Sequence, residues 1–165
     1  MKEDGLTVGL CHGCFDLLHY GHLLHFHEAL TRVNRLVVTV TADRFIDKGA
    51  GRPVLAAPQR AEMLAALRVI DGVAVSDAAT AVVAIEALRP DVFVKGRDYQ
   101  SVADHAGLKA EIAAVRRVGA SMYYTESPKW SSSYLLTHLA DVFRKAAIET
   151  GDRHDLRVAD RTRQL

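Results

Sequence analysis

His19 and His22 stand three residues apart, with Gly21 between them, inside the run Gly13-Cys14-Phe15-Asp16-Leu17-Leu18-His19-Tyr20-Gly21-His22. An apolar segment, residues 6–11, precedes this run and reads as a buried strand. Leu23, Phe26, Leu30 and Val33 follow it at helical spacing. A strand-to-helix junction presents unpaired backbone N–H groups and the positive end of a helix dipole, which together form an anion site. Two imidazoles added there can stabilise charge that develops on a bound phosphate. A turn-capping His19 and a surface His22 would explain either histidine singly, but not the whole decapeptide.

Three further segments carry suitable chemistry. Residues 43–52 place Lys48 and Arg52 among two glycines, the composition of a mobile cationic loop that can close over a polyphosphate. Taken alone, the same loop is an ordinary solvated turn. Residues 90–99, Pro-Asp-Val-Phe-Val-Lys-Gly-Arg-Asp-Tyr, bring Lys95 and Asp98 to a strand end. Ser131, Ser132 and Ser133, behind Lys129 and Trp130, open the last helix. Serine there caps the helix or binds phosphate oxygens.

The decapeptide resembles the G-x-F-D-x-x-H-x-G-H signature of the cytidylyltransferase-like nucleotidyltransferases. These join a nucleoside monophosphate to a phosphorylated acceptor and release pyrophosphate. The resemblance spans roughly residues 6–140. Its sugar-phosphate members have a similar Lys-Gly…Arg-Pro-Val stretch at 48–54 and an arginine at position 60. Residues 90–99 are similar to the P-D-V-x-V-K-G-x-D-Y of the heptose-phosphate adenylyltransferase branch, with Arg97 where that branch has glycine. Glu126 and Ser127 stand near the place where glycerol-phosphate cytidylyltransferases have an arginine-threonine pair.

The resemblance implies His19, His22 and Lys48 as catalytic residues. It implies Gly13, Cys14, Phe15, Asp16, Gly21, Arg60, Lys95, Gly96, Asp98, Ser131, Ser132 and Ser133 as the nucleotide site, with Arg52, Arg97 and Tyr99 toward the acceptor. It also implies Mg²⁺ arriving with the triphosphate, and a homodimer, since relatives often dimerise. The departures at Arg97 and at Trp130-Ser-Ser-Ser favour CTP and a small phosphate or phosphonate acceptor. ATP with a heptose-like sugar 1-phosphate is the alternative, and a non-catalytic nucleotide-binding module is a second one.

The elements that must position these residues alternate regularly. Strands are predicted over 6–11, 36–41, 72–75, 92–95 and 121–125. Helices are predicted over 21–33, 58–70, 79–88, 105–118 and 132–146. Strands separated by helices form parallel βαβ units. The expected fold is therefore α/β: a Rossmann-like, doubly wound, five-stranded parallel sheet with helices on both faces. Ligands of such sheets bind beyond the carboxyl ends of the strands, where all four segments fall. One domain is expected over 1–148, and the polar, mixed-charge residues 149–165 read as a tail or as a linker to a fused domain.

Composition narrows the classes. The 165 residues are 49% hydrophobic and 25% charged, with a net charge of +1. That balance gives no basic field for nucleic acid, which also disfavours a fragment of an aminoacyl-tRNA synthetase. No apolar run has the length of a membrane span, and the N-terminus lacks a signal-peptide pattern, so a cytoplasmic protein is expected. Cys11 and Cys14 form a C-x-x-C without a second cysteine pair, so a zinc site is not expected. Cys11 reads as the end of a buried strand and Cys14 as a variable position of the motif. His25 and His27 enlarge the histidine cluster but diverge on a helix, so no dedicated transition-metal site is expected.

Overall fold

Five short runs rich in β-branched and apolar residues form the strands, and the central ones are apolar on both sides because both faces of the sheet are covered there. In the computed structural model, which describes residues 5–100, 106–128 and 130–150, these are β1 (Val8–Gly13), β2 (Arg35–Thr41), β3 (Gly72–Ser76), β4 (Val92–Gly96) and β5 (Ser121–Thr125). They form one parallel sheet in the order β3-β2-β1-β4-β5. The helices are α1 (Tyr20–Ala29), α2 (Ala57–Ala65), α3 (Val82–Leu88), α4 (Ala106–Val118) and α5 (Ser132–Thr150).

The two-residue period of a strand divides the core into two layers. Cys11, Leu36, Val38, Val40 and Val94 pack with Phe26 and Ala29 of α1 and Leu64 of α2. Val8, Leu10, Val37 and Phe93 pack on the other face with Ile85 of α3 and Ala114 and Val115 of α4. Two aspartates set the strand starts alike: Asp91 accepts the Val8 N–H at 2.7 Å, and Asp71 accepts the Leu36 N–H at 2.8 Å. The winding direction reverses between β1 and β4, and the carboxyl ends of these strands open a crevice there.

Element types agree with the sequence reading, and the ends differ for identifiable reasons. β1 runs two residues further than expected, because 12 and 13 pair with Thr39 and Val40. α1 stops at Ala29 rather than Val33, where the Thr31 hydroxyl and N–H both turn back onto the Glu28 carbonyl. α2 stops at Ala65 rather than Ile70, in tight turns that deliver Asp71 to β2. α3 begins at Val82 rather than Ala79 and ends on Arg89 in the left-handed region (φ 49°), just before Pro90. α5 continues to Thr150, so the boundary expected at 148 falls inside a helix. The predicted tail beyond 150, Lys129 and the predicted helix start at 105 lie outside the described residues.

Candidate functional site

The motif loop between β1 and α1 is held in an unusual backbone. Phe15 (φ 49°) and Leu17 (φ 59°) both adopt the left-handed region, which costs an L-residue roughly 1–2 kcal/mol each. Packing holds it: the Phe15 ring lies 5.3 Å from the His22 ring and 5.5 Å from Phe26. Gly21 is dictated by close approach, since a Cβ there would sit 2.5 Å from the Trp130 Cβ. The glycine of the motif thus lets the start of α1 meet the segment leading into α5.

The two motif histidines stack with centroids 3.8 Å apart and planes at 19°. The His19 N–H donates to His22 Nδ1 at 3.3 Å, which leaves Nε2 to carry the proton of a neutral His22. His19 Nδ1 is buried with no hydrogen-bond partner among the described residues. Burial pushes both imidazoles toward the neutral form, and the Lys48 charge adds to it. His22, beside His19 and His25 as well, is lowered to about 3. His25, bonded to the Thr125 hydroxyl at 3.0 Å, is lowered to about 4, chiefly by burial. His12 is lowered to about 4 in the same way, with Thr39 and Thr41 at its two nitrogens (2.9 and 3.2 Å). The site therefore offers neutral imidazoles, whose N–H groups can donate to a phosphate without placing permanent charge on the floor.

Charge comes from two lysines. Lys48 sits in the loop after β2, close to Gly49 (φ 94°) and Gly51 (φ 75°), whose backbones favour glycine. Lys95 ends β4, buried, with its ammonium 2.7 Å from Glu111 of α4 and 4.4 Å from the centre of the Tyr99 ring. Both lysines border two adjoining clefts, of about 240 and 350 Å³. The first is lined by His19, His22, His25, Gly96, Asp98, Ser132 and Trp130, the second by Thr41, Asp47, Thr80 and Glu111. His12, Gly13, Cys14, Lys48, Lys95 and Tyr99 belong to both.

Several residues read from the sequence as ligand contacts have partners within the protein, although Asp16, Arg97 and Ser132 also line the first cleft. Arg60 is fully buried, donating to the carbonyls of Cys14, Leu55 and Thr41 and to Asp43. It fastens the motif loop to β2 and presents no charge to a nucleotide. Arg52, expected toward the acceptor, is buried on Asp16 (2.6 Å) and donates to Ser132 at 3.2 Å. Asp16, expected in the nucleotide site, accepts from Arg52 and from the N–H groups of Val54 and Leu55. Burial opposes its ionisation, but those donors outweigh burial and hold the carboxyl below its usual range. Ser131 accepts the Tyr134 N–H at 3.4 Å as a helix cap. Arg97 donates to the Glu126 carbonyl at 3.2 Å at the rim. Gly96 leaves room for Asp98, whose Oδ1 would lie 2.6 Å from a Cβ there.

Two acids beside the site escaped the sequence reading. Glu28 of α1 accepts from the Tyr123 hydroxyl (2.8 Å), the Glu126 N–H (2.6 Å) and the Ser127 N–H (3.1 Å). Burial resists its ionisation, yet the Ser127 hydroxyl and these donors hold its carboxyl below the usual range. Glu111 left a faint signal: it stands three residues after Leu108 and four before Val115, on a stripe that is otherwise apolar.

Comparison with known proteins places the chain in a family. The family model described as cytidylyltransferase-like matches residues 10–138. A bifunctional protein HldE of Mesorhizobium japonicum is 47% identical over 100 residues, covering 59% of this chain and 20% of the relative. The HldE of Koribacter versatilis is 46% identical over 100 residues, covering 59% and 21%. The chain thus spans about a fifth of the length of these curated relatives. Among solved structures, a lipopolysaccharide core biosynthesis protein from Thermoplasma volcanium superposes with a TM-score of 0.57 at 21% identity, covering 77% of this chain and all of the other. A pantothenate synthetase from Thermus thermophilus gives 0.54 at 14% identity, covering 94% and 75%. Both show the same fold.

Proposed function

The chain belongs to the cytidylyltransferase-like family, and from that premise we propose that it transfers AMP from ATP to a heptose-like sugar 1-phosphate and releases pyrophosphate. The observation that carries the reaction class is the stacked pair of neutral histidines at the strand-to-helix junction, with His19 Nδ1 buried and unpartnered among the described residues. The sequence departures had favoured CTP. The identity to HldE proteins over 100 residues, with the Pro-Asp-Val-Phe-Val-Lys-Gly-Arg-Asp-Tyr segment of the heptose-phosphate branch, supports ATP instead.

In this reading ATP lies in the cleft of the histidines and the acceptor in the adjoining one. An acceptor oxygen, ionised near neutrality because the second phosphate pKa is about 6, attacks the α-phosphorus in line. The bond to the β-phosphate oxygen breaks, and its electron pair leaves with pyrophosphate. No strong general base is required. His19 and His22 donate to the phosphate oxygens, and Lys48 neutralises the leaving pyrophosphate. Catalysis is positioning and electrostatic stabilisation by groups already in place. As negative phosphate enters, the imidazolium forms are favoured, so charge reaches the floor of the site only with the substrate.

Mg²⁺ is part of the proposal. Among the described residues no group of three or more His, Cys, Asp or Glu is arranged to hold an ion. The triphosphate oxygens and water would be its ligands, and the ion would supply charge neutralisation on the leaving group.

The test is pyrophosphate release with ATP, CTP, GTP and UTP against sugar 1-phosphates, alcohol phosphates and phosphonates, with and without Mg²⁺. Release with ATP and a heptose-like 1-phosphate, abolished by chelation, is the expected result. Release with CTP alone would return the assignment to cytidylyl transfer. Nucleotide binding without release for any pair would favour a binding module.

A further inference from the structure

The geometry points to Glu111 as a positioning residue that acts through Lys95, making that lysine the fixed cation against which the phosphates of both substrates are brought together. This deepens the adenylyl-transfer reading and rests on it. Among the residues common to the two clefts, only Lys48 and Lys95 carry ammonium groups. They are held differently. Lys48 rides a loop just ahead of two glycines, Gly49 and Gly51, and no carboxylate pairs with it among the described residues. Lys95 is rooted in the sheet, in the wall between the clefts, with its side chain 7% exposed.

A buried ammonium needs a counter-charge, and Glu111 supplies it across 2.7 Å from a side chain only 5% exposed. Glu111 is itself fixed, because its Oε1 accepts the N–H of Ala81 at the start of α3 at 2.9 Å. Its Oε2 meets the ammonium closely but without an aligned hydrogen bond. The ammonium donors are therefore not all directed at the carboxylate, and the Tyr99 ring covers one side of it at 4.4 Å. The arrangement runs from α3 through α4 to β4, so an acid remote from the motif fixes where the cation stands. Among the described residues, Cys11 and His12 from β1, His25 from α1 and Tyr124 from β5 are the other titratable groups within electrostatic reach of this pair.

The experiment is a double-mutant cycle on the full chain, with kcat, KM for each substrate and ATP affinity measured for wild type, Glu111→Gln, Lys95→Met and the double variant. Misplacing a group by about 1 Å costs about a hundredfold, so Glu111→Gln should lower kcat on that scale while ATP affinity stays within about threefold. In the Lys95→Met background, Glu111→Gln should cost no further activity. The double variant, with no buried charge left alone, should melt above Lys95→Met without recovering kcat. Glu111→Asp, which keeps the carboxylate, should return kcat to within about tenfold of wild type, and this arm holds even if Lys95→Met alone does not fold. Losses that multiply in the double variant, kcat that recovers together with melting temperature, or no rescue by aspartate would each overturn the inference. An inactive wild type would overturn the adenylyl-transfer reading and this inference together. An active wild type with independent losses would overturn this inference alone.

Discussion

Two ion pairs are buried at the site, one within the histidine motif and one in the wall behind it, and they differ in how completely their hydrogen bonds are filled. Asp16 takes Arg52 and two backbone N–H groups, while Arg52 turns its other donors to Ser132 and Ser133. Lys95 and Glu111 are about as close, but Glu111 Oε2 lacks an aligned donor and Lys95 borders both clefts. Buried polar groups with filled valences lock a chain into one arrangement, and those with valences to spare can take a ligand. The first pair joins the motif loop to the segment before α2 and to the start of α5. The second lies in the wall between the two clefts.

Breaking the filled pair carries the largest expected effect. Asp16→Ala strands Arg52 without counter-charge and should cost about 3–5 kcal/mol of stability, read from the urea midpoint. A cost below about 1 kcal/mol would return Asp16 to the ligand contacts. His19→Ala touches neither pair. It should lower turnover about 10²–10³-fold with little change in the midpoint, and an undiminished rate would remove the histidines from the chemistry.

Acid should separate the histidines from the filled pair. His12, His22 and His25 are buried neutral, lowered to about 4, 3 and 4, while an unfolded histidine titrates near 6.5. The unfolded chain gains protons first, so stability is full above about pH 6.5 and declines toward pH 4 by the order of a few kcal/mol. Asp16 is lowered from its own ordinary value, so its contribution persists above about pH 3.9 and is lost only below that. A melting temperature flat from pH 6.5 to 4.5 would contradict neutral burial of the histidines. The smallest expected change is Gly21→Ala. Its methyl would press on Trp130, costing about 1–3 kcal/mol, and an unchanged melting temperature would show that Trp130 yields freely.

The same contrast explains what was legible in the sequence. Strands buried on both faces read as apolar runs, so the sheet and its parallel winding followed directly. That His19, His22 and Lys48 share a cleft was legible because a fixed spacing and neighbouring glycines mark them locally. The internal partners of Arg52, Arg60 and Asp16 were not legible, because a charge within a motif looks the same whether it faces a ligand or a group distant in sequence. Arg60 reaches Cys14, 46 positions away, and only the folded chain reveals that. Glu111 was unread because its meaning depends on β4 and α3 lying beside α4.

Glu28 has a mechanical consequence. With its carboxylate bound to Tyr123, Glu126 and Ser127, and with His25 tied to Thr125, α1 and the segment after β5 form a single rigid jaw. At the opposite side, Arg52 and Arg60 pin the chain on Asp16 and Asp43. What lies between the pins is the short stretch 46–51, bearing Lys48. In such a frame the loop that bears Lys48 is slung between two fixed points, as a flap is on its hinges.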